Sequence, residues 1–232
     1  MQSQKVESLA EFVRRIGLYD ELLTSDVIFR GQPVRGRLLP GIARSDSRRD
    51  TTAVERDLLV ELRRLGAVHL LEREETDLDL LVRAQHFGLK TRLLDWTSNP
   101  LAALWFACSD YQNCSDDAYV YALVVKDLML PSDIYLSSPF ETTRTLALRP
   151  RLNNARIFAQ HGWFTLHHYS VEEQRFIALE ENSHAAIYEY RVPVDKRHEM
   201  LVALDRCGIS SRTMYPDLSG LCSFLNWKLS VS

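Results

Sequence analysis

The stretch from Ala84 to Ala107, AQHFGLKTRLLDWTSNPLAALWFA, constrains this chain more than any other. It begins on the end of an apolar-periodic helix, breaks at Gly88, and runs extended from Thr91 to Trp96. Thr97-Ser98-Asn99-Pro100 then starts a second helix, with Leu101, Leu104, Trp105 and Ala107 as its apolar residues. An Asn or Ser N-cap accepts from first-turn amides that lack helical partners, and a Pro at the first helical position has no amide to leave orphaned. A helix–strand–helix unit is therefore expected. Polar side chains sit inside it: Gln85, His86, Thr91, Arg92 and Asp95. An Arg or Asp in apolar surroundings is seldom buried unless it is paired. Two readings stand: Arg92 and Asp95 pair with each other or with helix ends as a structural knot, or the set forms the wall of a ligand site.

The rest of the chain is organised around this unit. Val6 to Tyr19 has helical periodicity, with Leu9, Phe12, Val13 and Ile16 on one face. Asp26 to Phe29 is a short strand that Gly31 and Pro33 are expected to stop, which places Arg30 at a strand end where a loop opens toward a ligand. Leu38 to Arg44 is loop-like. A helix from Thr51 or Thr52 to about Leu71 follows, with Glu55 completing a capping box to Thr52, and another starts near Asp77. Ala118–Val125 is expected as a central strand, 131–145 as irregular, and Gly162–Leu166 and Ala186–Val192 as further strands. Pro193 to Asp195 caps a helix through Leu204, Thr213 to Gly220 is a turn, and Leu221 to Leu229 a short closing helix. The expected fold class is α+β, a mixed central sheet flanked by helices. Residues 1–24 are read as an N-terminal helix and 25–232 as one domain.

Composition narrows the function classes. No apolar run approaches the roughly 18 residues needed to span a bilayer. The first residues, MQSQKVESLAEF, lack the basic-then-apolar pattern of a secretion signal, so a reduced cytoplasmic setting is expected. A net charge of −3 argues against broad nucleic-acid binding, and the five arginines at 35, 37, 44, 48 and 49 are read as a solvated loop. Cys108, Cys114, Cys207 and Cys222 have the spacing of neither a zinc ribbon nor a disulfide framework. His161, His167 and His168 are not spaced as a helix-borne metal pair, and no metal is expected. There is no G-x-S-x-G elbow for a hydrolase nucleophile.

Phe29-Arg30-Gly31-Gln32 and the run from Gln85 through Asn99-Pro100 resemble the signature of the FRG domain. Asn154-Ala155-Arg156-Ile157, Gln160 to Phe164, Gly208-Ile209-Ser210 and Tyr215-Pro216-Asp217-Leu218 extend the resemblance over about residues 25–225. The family carries no single settled activity. Its members are linked with bacterial and phage conflict, which implies a macromolecular target (protein or nucleic acid) and an antitoxin or immunity partner.

Phe29-Arg30-Gly31 is also similar to the first motif of arginine-type ADP-ribosyltransferases, in which the Arg holds the phosphates of NAD. That similarity implies an NAD-using toxin or phage-defence effector with an ADP-ribosyltransferase-like fold. Arg30, Gly31 and Gln32 would then bind NAD, and Thr91-Arg92 and Thr97-Ser98 would stand where those enzymes carry a Ser-Thr-Ser run. Trp96, Trp163 and Phe164 are stacking candidates or core residues. The enzymes' catalytic Glu, on a later strand, is replaced by Gln160 on the candidate strand Arg156–Leu166. Asp95, Glu173 or Glu189 would have to supply the carboxylate, and His86 would carry a proton. The alternative is a non-catalytic module that binds a nucleotide or a protein partner.

Overall fold

The computed structural model describes residues 3–18, 26–70, 76–111, 114–131, 138–151, 155–183 and 185–231. Its strands are β1 (Ser3–Lys5), β2 (Val27–Gln32), β3 (Leu93–Thr97), β4 (Ala118–Val124), β5 (Leu146–Leu148), β6 (Gly162–Leu166), β7 (Tyr169–Ser170), β8 (Arg175–Phe176) and β9 (Ala186–Val192). Its α-helices are α1 (Leu9–Ile16), α2 (Thr52–Leu65), α3 (Asp77–His86), α4 (Pro100–Cys108), α5 (Ala155–Ala159), α6 (Arg197–Arg206), α7 (Ser211–Met214) and α8 (Leu218–Val231). Seven strands form one sheet in the order β1-β9-β4-β2-β3-β6-β5, while β7 and β8 make a separate small hairpin. β1 joins β9 in parallel and the other neighbours are antiparallel, so the sheet is mixed and the fold is α+β.

Successive strand residues point to opposite faces. Phe29, Val120 and Ala122 therefore share one face, and Ile28, Tyr121 and Leu123 share the other. Helices cover the first face in two groups. α1, α4 and α6 pack through Phe12, Ala103 and Leu201 on β2, β4 and β9. α2, α3 and α5 pack through Leu59, Leu81 and Ile157 on β3, β5 and β6. The second face is covered by connecting segments, through Leu38, Leu128 and Leu179. α4 is apolar on every side and accordingly buried. It lies so close to β2 that a Cβ on Gly31 would stand 1.9 Å from the Ala103 carbonyl oxygen and 2.6 Å from the Ala107 nitrogen. Only glycine permits that approach.

β6 and β9 span the residues expected for them, and α4 starts at Asn99, whose Oδ1 accepts from the amides of Leu101 and Ala102. Other expectations are corrected. β2 does not stop at Phe29: it pairs with β4 through Arg30↔Tyr121, Gly31↔Val120 and Gln32↔Tyr119. Arg30 thus lies inside a strand, because the missing Cβ at Gly31 serves the packing of α4 rather than a turn. The Thr52–Glu55 capping box does not form; Thr52 donates its amide to Asp50 Oδ1 at 2.9 Å, and Glu55 is buried with Arg92. A capping box occurs instead at the next helix, between Thr76 and Asp79. α2 ends at Leu65, before Gly66. Residues 155–159 are helical, so the candidate strand Arg156–Leu166 begins only at Gly162, and Gln160 sits in the turn before it. The turn expected at 213–220 holds the end of α7 and the start of α8.

β1, β5 and the β7–β8 hairpin have no sequence signal, being too short for periodicity to show. β1 and α1 belong to the same architecture as the rest: Gln4 pairs with Tyr190, and Phe12 packs edge-on against the Tyr190 ring. Tyr19, residues 132–137 of the irregular stretch, and Asn154 of the quoted motif lie outside the described residues. Among the described residues, no helix is long and apolar enough to cross a membrane.

Candidate functional site

The sheet is thinnest where β2 meets β3. That ladder has one register pair, Phe29↔Thr97, whereas β3 pairs with β6 from Leu93↔Leu166 through Thr97↔Gly162. The two helix groups part above the same seam and leave a cleft of about 460 Å³. β2 and β3 supply Phe29, Arg30, Gly31, Asp95 and Thr97; α3 supplies Gln85 and His86; α4 supplies Phe106. Arg156, Gln160 and Tyr215 close it from the later part of the chain.

Arg30 fills the gap in the ladder. Its side chain is 13% exposed, and Nη1 donates to the Asp95 carbonyl oxygen at 2.8 Å with Asp95 Oδ2 4.0 Å away. Nε is buried and has no partner. Burial pushes the guanidinium pKa down to about 10; the Asp95 charge opposes this and Arg44 adds to it. It remains charged at neutral pH, in a place where a cation is costly without an anion.

Strand alternation turns Asp95 toward the cleft while Leu94 and Trp96 face the opposite cluster. Gln85 Nε2 donates to Asp95 Oδ2 at 3.0 Å, and Gln85 Oε1 accepts from Thr91 Oγ1 at 2.8 Å. This relay works because α3 ends at His86 and Gly88, at φ +91°, reverses the chain so that Thr91 comes back beside Gln85. His86 Nε2 is buried without a partner. Burial, and then the Arg156 charge, lower its pKa, with Asp95 opposing, so the ring is neutral at neutral pH.

Gln160 is held by both its ends. Its Nε2 donates to the Met214 carbonyl at 3.0 Å, and its own carbonyl accepts from Thr97 Oγ1 at 2.6 Å. His161, at φ +49°, makes the left-handed bend that leads into β6. Arg156 donates to Asp217 Oδ2 from Nε at 3.2 Å and from Nη2 at 2.6 Å, and lies over the Tyr215 ring at 5.4 Å.

The fold thus brings together Arg30, Gly31, Gln85, His86, Asp95 and Gln160 from the sequence-derived set. Trp96 borders the cleft, but its indole N–H is spent on Thr165 Oγ1 at 3.0 Å. Thr91 is fully buried and acts through Gln85. Arg92 faces away, bonded to Glu55 and to Thr52 Oγ1 at 3.1 Å, with Phe140 under it at 4.5 Å. Phe164 is a core residue beneath α3 and α5, and Trp163 packs on the opposite face. Gln32 lines a second cavity beyond Arg30. Glu189 is buried against Arg35 Nη2 at 3.1 Å, and Glu173 pairs with Arg175 at 3.6 Å; neither borders the cleft. Asp95 is the one carboxylate among the described residues that line it. His167 is buried, shares a 3.1 Å hydrogen bond with Thr165 Oγ1, and burial pushes its pKa down to about 3. No group of three or more His, Cys, Asp or Glu among the described residues could hold a metal ion. Sequence reasoning gives no role to Phe106, Arg156 or Tyr215; the last two stand in the later pieces of the resemblance, which is their only signal.

Residues 25–116 match the family model described as FRG domain. The match takes in β2, α3, β3 and α4, hence the Arg30–Asp95 half of the cleft, and stops before Arg156, Gln160 and Tyr215. No curated protein and no solved structure matches the chain.

Proposed function

The chain carries an FRG domain across residues 25–116, and we propose that its cleft binds NAD, breaks the bond between nicotinamide and ribose, and passes ADP-ribose to a macromolecular acceptor. The observation that carries this reading is a buried guanidinium with an unmet Nε, at Arg30, 4.0 Å from Asp95, the one carboxylate among the described residues that line the cleft. Phosphate oxygens would satisfy the guanidinium fork. The Asp95 carboxylate would offset the positive charge that grows on the ribose as the leaving group departs, as carboxylates do in glycoside cleavage. The electron pair of the broken C–N bond leaves with nicotinamide, which becomes neutral. The new bond forms to an acceptor oxygen or nitrogen, whose proton passes to the neutral His86 ring. Phe106 and Tyr215 border the cleft with aromatic surface against which a flat base would pack. An activity that modifies macromolecules at the expense of NAD suits a toxin or phage-defence effector.

Binding without turnover is the second reading. It is favoured by Gln160, which is neutral and already gives its amide to Met214. Nicotinamide release from NAD separates the two, measured on purified protein with and without cell lysate beside Arg30→Ala and Asp95→Asn. Release that needs both residues supports the enzyme, and dependence on lysate points to a target. No release from folded protein in fresh lysate rejects NAD cleavage and leaves a binding module.

A further inference from the structure

Arg30, Gly31 and Pro33 border two cavities at once. The second, of about 760 Å³, opens from Arg30 and Gln32 and is rimmed by Arg37, Arg44 and Arg48. Arg37 is committed to Glu181. Arg44 gives Nε to the Leu39 carbonyl at 3.2 Å and keeps its terminal nitrogens. The Arg48 guanidinium has no bonded partner among the described residues. Asp46 is the one carboxylate among the described residues on the rim, and it accepts the amide of Arg48 at 3.0 Å within its own loop. Residues 34–49 hold five arginines against that single Asp, in a chain whose net charge is −3.

Three arginines thus stand around a buried cation, and Asp46 is the single carboxylate among the described residues that line this side of it. Like charges held so close repel, and a multiply charged anion between them reverses the sign of every such interaction. We propose that this cavity is an anion subsite for the diphosphate of a nucleoside diphosphate group, with Arg30 at its floor and Arg44 and Arg48 at its rim. The volume falls in the range of small-ligand sites, roughly 300–1,000 Å³. A floor as buried as Arg30 is reached by a small ligand, whereas a polynucleotide backbone is met by a stripe of exposed charge. The proposal rests on the NAD reading only for orientation: the nucleotide half lies in the arginine cavity and the scissile ribose lies across Arg30, beneath Asp95.

The test is calorimetric titration of the full chain with ADP, which lacks the second ribose, beside adenosine and a short single-stranded RNA. ADP is expected to bind and adenosine to bind far more weakly. Arg44→Gln/Arg48→Gln should weaken ADP by about tenfold or more, the usual scale for losing a charge-assisted contact. Arg48→Glu, on an exposed loop residue, should weaken it at least as much and leaves folding out of the question. Nicotinamide release is followed on the same preparations. If release is absent but ADP binds through Arg44 and Arg48, only the cleavage reading fails. Equal ADP affinity in the variants, no ADP binding, or RNA binding without ADP binding would each overturn the subsite.

Discussion

Glu55 grips Arg92 at two points: Oε1 accepts the Arg92 backbone amide and Oε2 accepts Nε, both at 2.7 Å. Both side chains are within 1% of complete burial. Burial raises the Glu55 pKa, against the pull of Arg92. The pair ties α2 to the start of β3, and so sets where Asp95 falls two pairs further along the strand.

Breaking this pair from one side strands a charge in the core. Arg92→Met should lower stability by about 3–5 kcal/mol, whereas Glu55→Leu/Arg92→Met together should recover most of the loss. Urea unfolding of the two variants checks this. A double variant as unstable as the single one would show that geometry, not the stranded charge, carries the cost.

Gly31→Ala tests the contact between α4 and β2. Backbone atoms cannot swing aside as a side chain can, so the new methyl must push the helix off the strand. A loss of about 3 kcal/mol, at the upper end for overpacking, is expected, together with loss of whatever the cleft binds. Thermal unfolding unchanged from the wild type would mean that α4 lies further from β2 than described.

Asp95→Asn separates chemistry from folding. The side chain is 55% exposed, so stability should move by less than about 1 kcal/mol. Nicotinamide release should fall by about a hundredfold or more, the scale of a lost transition-state charge contact. Gln85→Leu, which frees the carboxylate from its donor, should give a smaller loss. An Asp95→Asn variant that turns over at the wild-type rate would remove Asp95 from the mechanism.

Acid should weaken the fold through its histidines. His167 prefers its neutral form in the folded chain, its pKa moving from 6.5 to about 3, and burial lowers His86 and His168 in the same direction. Below pH 6.5 the unfolded chain takes up the proton first, so stability declines from there toward pH 3. For one such histidine the decline is at most about 1.4 kcal/mol for each step of one in pH. Urea midpoints above and below pH 6.5 should show it, and His167→Gln should flatten it. A midpoint that holds steady on acidification would contradict the buried, neutral His167.

Local signals in the sequence were enough for β6, β9, the start of α4 and the polar set Gln85, His86 and Asp95, while their nearness to Arg30 was implied only by the resemblance. A period-two strand, an Asn-Pro cap and a helix-breaking Gly act over a few neighbours, so their message survives without tertiary context. The partner of Arg92 could not be read this way. Glu55 lies 37 residues away and carries a Thr three residues before it, which imitates a cap. Nor could the strand through Gly31 be read, since glycine signals a turn unless a helix is known to need the space. Whether a carboxylate faces the cleft was also hidden: Asp95, Glu173 and Glu189 are alike as letters, and only the sheet order and the parting of two helix groups put Asp95 there. The sequence by itself determined β6, β9, the start of α4 and the polar set from the end of α3 onward. The tertiary structure decided which charges were spent on the core and which were left facing a cavity, because pairing depends on distances through space that no local pattern encodes.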